Sequence, residues 1–355
     1  MLHTPFYNPK LSYEKNYENG PFGAFSDGKK ESINFPIKQT FCGIPIRLPF
    51  GIASGPLLNA RFVKSALDKG FDLPVYKTVR TIKKACHQYP NVLPVSTKSI
   101  LTIEDAQKGL ITKENYDEPL AITNSFGVPS FDPEIWQKDL ADAVSYAENG
   151  QIVIGSFQGT SKQNGDIDSY INDFVLCAKM VKETGCKILE ANLSCPNEGT
   201  SNLLCFDTER VRKIAVAIKN EIGDTPLLLK CAYYIDQIHL EDFVKKLNEI
   251  VQGFCAINTI SAKVFDENGN QALPGDGRLF SGVCGSPIRW AGVDMVKRLN
   301  KIREENNYSY EIVGVGGVSS QNDFKEYKNA GADIVMCATG AMWNPYLAKE
   351  ISEIK

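Results

Sequence analysis

The chain has little of what metal and disulfide scaffolds require. Its 355 residues include only three histidines, His3, His87 and His239, which lie far apart. The ten cysteines are scattered, and none forms a CxxC pair. A structural zinc site draws its ligands from short, clustered spacings, so no metal is expected. Dispersed thiols in a chain of this length fit a reducing cytosol better than a disulfide framework. No apolar run approaches the roughly 20 residues of a membrane span. The N-terminal MLHTPFYNPKLSYEKNYENG lacks the apolar core of a secretory signal. Basic and acidic residues nearly cancel, 39 against 42, for a net charge of −3. That leaves no basic excess for a nucleic-acid backbone. These absences lead us to expect a cytoplasmic protein that binds neither membrane nor nucleic acid.

What is present is an ordinary globular composition, 43% hydrophobic and 23% charged, enough for a sizeable core. The length suits one large domain or two ordinary ones. Residues 1–40 stand apart, rich in Asn, Gly, Lys and aromatics with no clear period. They read as an N-terminal arm, either packed on the surface by Phe6, Tyr7, Phe22 and Phe25 or used for a partner contact.

Over 41–355 a rhythm begins. Short β-branched runs end in Gly, Ser, Asn or Thr, and longer amphipathic stretches follow. The strand candidates are 50–55, 74–79, 151–157, 187–194, 226–232, 254–261, 310–317 and 333–340. Helix-like segments fall at 61–69, 134–148, 167–184, 207–221, 239–251, 287–304, 320–329 and 343–354. Alternation of this kind implies a parallel sheet buried on both faces. Eight strands are the number that closes a (β/α)8 TIM barrel, so an α/β barrel with an N-terminal extension is expected. An open, doubly wound sheet is the alternative. The strand-like run 120–127 lies between strands two and three and reads as a functional insertion, because long loops in compact domains usually have a role. A second excursion covers 262–284. It follows strand seven by the extended count, or strand six if the first run is only a bottom plug; counting leaves both open.

In a barrel the carboxyl ends of the strands meet at one face. Those ends carry Ala53-Ser54-Gly55, Lys77-Thr78, Asn192 to Asn197, Lys230, Asn258-Thr259, Gly316-Gly317 and Thr339-Gly340. The two late glycine turns, with Gly282 and Gly285, suit a phosphate held by backbone N–H groups. Lys77 and Lys230 end apolar runs. They could reach solvent, hold an anion, form a Schiff base or stabilise charge on a cofactor. The amides of Asn124, Asn192, Asn197 and Asn258 suit a ligand with alternating C=O and N–H edges, such as a pyrimidine. Cys195 follows a strand on a loop and could accept a proton as thiolate. A single cysteine is more ordinarily a small buried hydrophobe, and most of the others read that way.

Together these residues resemble the dihydroorotate dehydrogenase family. The motifs are ASG (53–55), YKT (76–78), NSFG (124–127), NLSCPN (192–197), LLLK (227–230), NT (258–259), SGVCG (281–285), GVGG (314–317) and TG (339–340). NLSCPN is the specific one. The resemblance implies a barrel that holds FMN and oxidises (S)-dihydroorotate to orotate in pyrimidine synthesis. It implies Cys195 and Lys77 as catalytic residues, with Cys195 taking the C5 proton while the C6 hydride passes to FMN. Lys77, Asn124, Phe126, Gly127, Asn192, Asn197, Asn258 and Thr259 would hold substrate. Ala53, Ser54, Gly55, Lys77, Thr78, Asn192, Lys230, Asn258, Gly282 and Gly285 would line FMN, with Gly316, Gly317, Thr339 and Gly340 at its phosphate. A thiol at 195 and a polar arm are similar to the soluble, cysteine-using (class 1) branch. The residues after NLSCPN, EGTSNLLCFD, match neither the fumarate-using nor the NAD-using pattern well. The acceptor is therefore open among fumarate, NAD through an iron–sulfur partner subunit, or another oxidant, and a homodimer is expected. The rivals are a dihydropyrimidine dehydrogenase-like enzyme, whose pattern resembles NLSCPH, and a flavin-free aldolase using Lys230. A non-catalytic flavin-binding protein is a third class.

Overall fold

The computed structural model describes residues 2–33, 35–161, 166–194 and 203–354. Eight parallel strands close a barrel in sequence order. They are β1 (Phe50–Ile52), β2 (Leu73–Val79), β3 (Ile154–Phe157), β4 (Ile188–Asn192), β5 (Leu227–Cys231), β6 (Gly253–Ala256), β7 (Glu311–Val315) and β8 (Ile334–Cys337). All eight expected runs are barrel strands. Alternate residues of each strand face opposite sides. Leu73, Val75, Ile154, Ile188, Leu228, Val313 and Ile334 pack together inside the barrel. Their neighbours Leu189, Leu227, Leu229, Phe254 and Ile312 face the surrounding helices. Both strand faces are therefore apolar, which is why the runs read as continuous.

The helices sit where amphipathic spacing places them. The helix Ile167–Glu183 buries Tyr170, Phe174, Cys177, Ala178 and Val181, one stripe at three- and four-residue steps. Side-chain oxygens of Asn59, Asp166, Asp207, Asp236 and Ser320 cap helix starts by accepting first-turn N–H groups. The expected 343–354 helix is instead two short ones, Thr339–Trp343 and Leu347–Ser352. Pro345 between them has no N–H to donate and disfavours helix at Asn344.

The bottom of the barrel is closed by a hairpin, Gln39–Phe41 with Ile44–Ile46. Phe41 and Ile46 join the interior core. The run at 50 is thus a true first strand, and the 262–284 excursion follows the sixth. Run 254–261 divides. β6 stops at Ala256, and a separate strand, Ile260–Phe265, leaves the barrel. That strand enters a five-stranded sheet with Phe280–Gly285, Ala121–Asn124, Val92–Pro94 and Leu110–Ile111. The 120–127 insertion, after β2, pairs with the excursion after β6, Asn124 opposite Gly282. Two loops distant in sequence thereby build one platform over the barrel mouth.

The arm packs on the barrel. Phe6, Tyr7 and Phe25 are buried, and the Phe6 and Phe25 rings stack at 4.3 Å. Backbone N–H groups of His3 and Phe6 donate to Trp343 and Met342.

Candidate active site

Inside the barrel, the residue type changes along each strand toward its carboxyl end. In β2 the inward series is Leu73, Val75, Lys77, and in β5 it is Leu228, Lys230. In β4 it is Ile188, Glu190, Asn192, and in β3 Ile154, Ser156. The apolar filling gives way to a polar floor. Above it lies a cavity of about 1060 Å3, its open mouth included.

Most of the expected residues converge on it. Ala53, Ser54, Gly55, Lys77, Thr78, Asn192 and Lys230 contribute from the barrel. Asn124, Phe126, Gly127 and Gly282 line it from the platform, and Asn258 and Thr259 from the loop after β6. Gly285, Gly317, Thr339 and Gly340 surround an adjoining cavity that shares Thr339 with the first. Gly316 lies beside these turns, its carbonyl accepting from the Tyr327 hydroxyl at 2.6 Å. Cys195 and Asn197 lie outside the described residues.

The amides are held in defined orientations. Asn192 Nδ2 donates to Gln158 Oε1 at 3.2 Å, and its Oδ1 accepts from the Ser194 N–H and hydroxyl, each at 3.3 Å. Asn258 Nδ2 donates to Ser194 O at 3.2 Å. Asn124 Nδ2 donates to Gly282 O at 3.4 Å and to Cys284 Sγ at 3.5 Å. Among the described residues the Oδ1 atoms of Asn124 and Asn258 have no hydrogen-bond partner, and both residues line the cavity. Lys230 Nζ donates to Ser54 Oγ at 2.8 Å, and that hydroxyl also meets Glu190 Oε1 at 2.9 Å. Thr78 and Ser156 share a hydrogen bond of 3.0 Å.

Among the cavity and near-cavity residues that escaped the sequence reading, Glu190, Cys284 and Tyr7 are polar or titratable. Glu190 was hidden in a run that looks apolar, and only its period-2 register with Ile188 and Asn192 marks it as inward. Cys284 reads as an ordinary core thiol. Burial pushes its pKa up, so it stays protonated, and it accepts hydrogen bonds from Thr339 and Asn124. Tyr7 comes from the arm and reaches the cavity with its ring edge-on to Phe126 at 5.8 Å. Burial raises its phenol, so it too is neutral. Nothing local in the sequence marks a tyrosine at position 7 for a site built at residues 53–339.

The glycine turns border the second cavity, whose lining also includes Glu118 and Glu350. Gly285, Gly316 and Gly317 adopt positive φ, 110°, 129° and 71°, which suits glycine. A Cβ on Gly340 would run into Val318 O. The Ser286 hydroxyl, at the same cavity, is buried without a partner among the described residues. A buried hydroxyl without a partner is costly, so its presence favours a bound acceptor. Positive-φ glycines, close-packed backbone and a waiting hydroxyl fit the phosphate of a flavin mononucleotide.

Comparison with known proteins agrees with this geometry. Residues 36–354 match the dihydroorotate dehydrogenase family model. The chain belongs to the dihydroorotate dehydrogenase family. It is 36% identical over 359 residues to a dihydroorotate dehydrogenase of Dictyostelium discoideum, spanning 98% of this chain and 96% of that one. It is 25% identical to the catalytic subunit of an NAD(+)-type dihydroorotate dehydrogenase B of Thermoplasma volcanium, covering 85% of this chain and 86% of that one. A quinone-type relative from Pseudoalteromonas translucida is also 25% identical, over 90% and 86% of the two chains. Among the described residues no helix is long and apolar enough to cross a membrane, and no cluster of His, Cys, Asp or Glu could hold a metal.

Proposed function

We propose that this chain oxidises (S)-dihydroorotate to orotate with FMN held at the barrel mouth. The observation that carries the reading is the adjacency of two cavities that share Thr339 in their linings. One is lined by two buried lysines and three oriented amides, and it adjoins glycine turns beside a hydroxyl with no partner among the described residues. Family membership supports the same reaction. Bound FMN would supply a two-electron acceptor for the substrate's C6 hydride.

The chain's own residues do the remaining work. Asn124 and Asn258 present amide oxygens that suit the ring N–H groups of a dihydropyrimidine, and Asn192 has a second amide N–H for a carbonyl. Lys77 lies among them, suited to the substrate carboxylate. Cys195 is the proposed base for the C5 proton; loss of that proton and of the C6 hydride balances the conversion of a CH–CH bond to C=C. Lys230 would offset negative charge on the reduced cofactor. Ala53, Gly55, Thr78 and Gly282 would line the ring, and Gly285, Gly316, Gly317, Thr339 and Gly340 the phosphate.

A thiol base supports the cysteine-using branch. The proposed division is an arm, 1–40, and a catalytic barrel, 41–355; the family match starts at residue 36, near that boundary but inside the arm. Nine described cysteines are free, in keeping with a cytoplasmic enzyme. A homodimer is expected and is read by sedimentation.

The experiment is anaerobic mixing of purified protein with dihydroorotate while following the visible flavin band. Bleaching is expected, and fumarate, NAD and quinones added in turn then identify the acceptor. A band that persists with dihydroorotate but bleaches with dihydrouracil would overturn the substrate assignment. Colourless protein that also fails to bind added FMN would overturn the cofactor assignment.

A further inference from the structure

Glu190 is a carboxylate on the inner face of β4, 1% exposed, one step below Asn192 in the inward series. A buried charge needs a partner, since desolvation is costly without one. Its partner is indirect. Glu190 Oε1 lies 2.9 Å from Ser54 Oγ, and Ser54 Oγ lies 2.8 Å from Lys230 Nζ. An ammonium can only donate. Ser54 Oγ therefore accepts from Lys230, and its single O–H points to Glu190. The hydroxyl's one donor is taken by Glu190, so it is unavailable to a ligand. Lys230 Nζ also approaches Ser54 O at 3.3 Å, so two of its three N–H groups are tied to Ser54. Among the described residues the third has no partner. Cys255, across β5 from Glu190's strand, also meets that carboxylate. Burial first, and then Glu190, keep its thiol protonated.

We propose that Glu190 is a positioning residue for the reaction: acting through the Ser54 hydroxyl, it fixes the direction in which Lys230 presents its charge to the cofactor and offsets part of that charge. This rests on the FMN reading above. Without Glu190 the barrel mouth keeps the lysine cation and loses the balancing anion. Negative charge on the reduced cofactor is then better stabilised, and Lys230 is less tightly held.

The test is the midpoint potential of FMN in Glu190→Gln, Ser54→Ala and the double variant, each purified with FMN and reduced against a reference dye. The cofactor reading is checked first and separately, by the flavin content of the wild-type protein. Given bound flavin, E190Q is expected at a more positive potential than wild type. The double variant is expected to shift by less than the sum of the two single shifts, because part of the carboxylate's effect passes through that hydroxyl. An E190Q potential equal to wild type overturns the proposal, and so do additive effects in the double variant. If E190Q does not accumulate as folded protein, Glu190→Asp reads the same link. It keeps the charge but shortens the side chain by one methylene, so the potential should move in the same direction by less. A wild-type potential in E190D would then overturn the role.

Discussion

The two ends of the same eight strands differ more than any two strands differ from each other. At the amino ends Leu73, Ile154, Ile188, Leu228, Val313 and Ile334 fill the barrel, and Phe41 and Ile46 seal it. At the carboxyl ends of β2, β4 and β5 stand Lys77, Glu190, Asn192 and Lys230, all buried and all polar. One end is held by burial of apolar surface. The other places charges and amides where they cost stability unless each is paired. The lower half can thus offset the cost of the polar upper half.

The comparison can be broken or sharpened by substitution. The largest effect is expected at the mouth. Cys195→Ser should keep FMN and substrate binding but slow flavin reduction near neutral pH by about 10²–10⁴-fold, the usual worth of a positioned base. Stopped-flow absorbance checks it, and an unchanged rate would remove Cys195 from the role. At the bottom, Ile188→Ala should cost about 2–5 kcal/mol of stability in denaturant unfolding. Its rate of reduction per bound flavin should not change; a slowed rate would show that the two ends are not separable. Lys230→Ala should weaken FMN retention or flavin reduction by roughly 10–100-fold, as expected for a charged hydrogen bond worth about 1.5–3 kcal/mol. Equilibrium dialysis and reduction kinetics read it, and wild-type behaviour in both would clear Lys230. Gly340→Ala forces a methyl against Val318 O. It should lower FMN affinity with little change in the KM for dihydroorotate, which separates the glycine turns from the substrate floor. The smallest effect belongs to the arm. Tyr7→Phe keeps the ring against Phe126 and should change kcat/KM by less than threefold, about 0.6 kcal/mol. A larger loss would make the Tyr7 hydroxyl part of the site.

Much of this was legible in the order of residues. Eight runs such as PVYKTV and PLLLKCA identified the barrel strands, because a parallel strand buried on both faces must be apolar at every position until it reaches the mouth. The motif turns marked Lys77, Asn192, Lys230, Asn258 and the glycines as cavity candidates, since polar residues gather where those runs end; Glu190, inside a run, escaped that rule. Less legible was the break after Ala256, where one apolar run serves two sheets. Pairing, not propensity, decides where the barrel strand stops.

By itself, then, the sequence determined the number of strands, the end that carries chemistry and the kinds of group gathered there, through local patterns with a period of two or of about 3.6 residues. Tertiary structure alone decided three further things. It joined the 120–127 and 262–284 excursions into one platform, it brought Tyr7 from the arm into the cavity, and it set Glu190 against Ser54 and Lys230. Those contacts span 136 residues between Ser54 and Glu190 and 176 between Ser54 and Lys230. No local period encodes such partners; only closure of the barrel brings them within hydrogen-bonding distance.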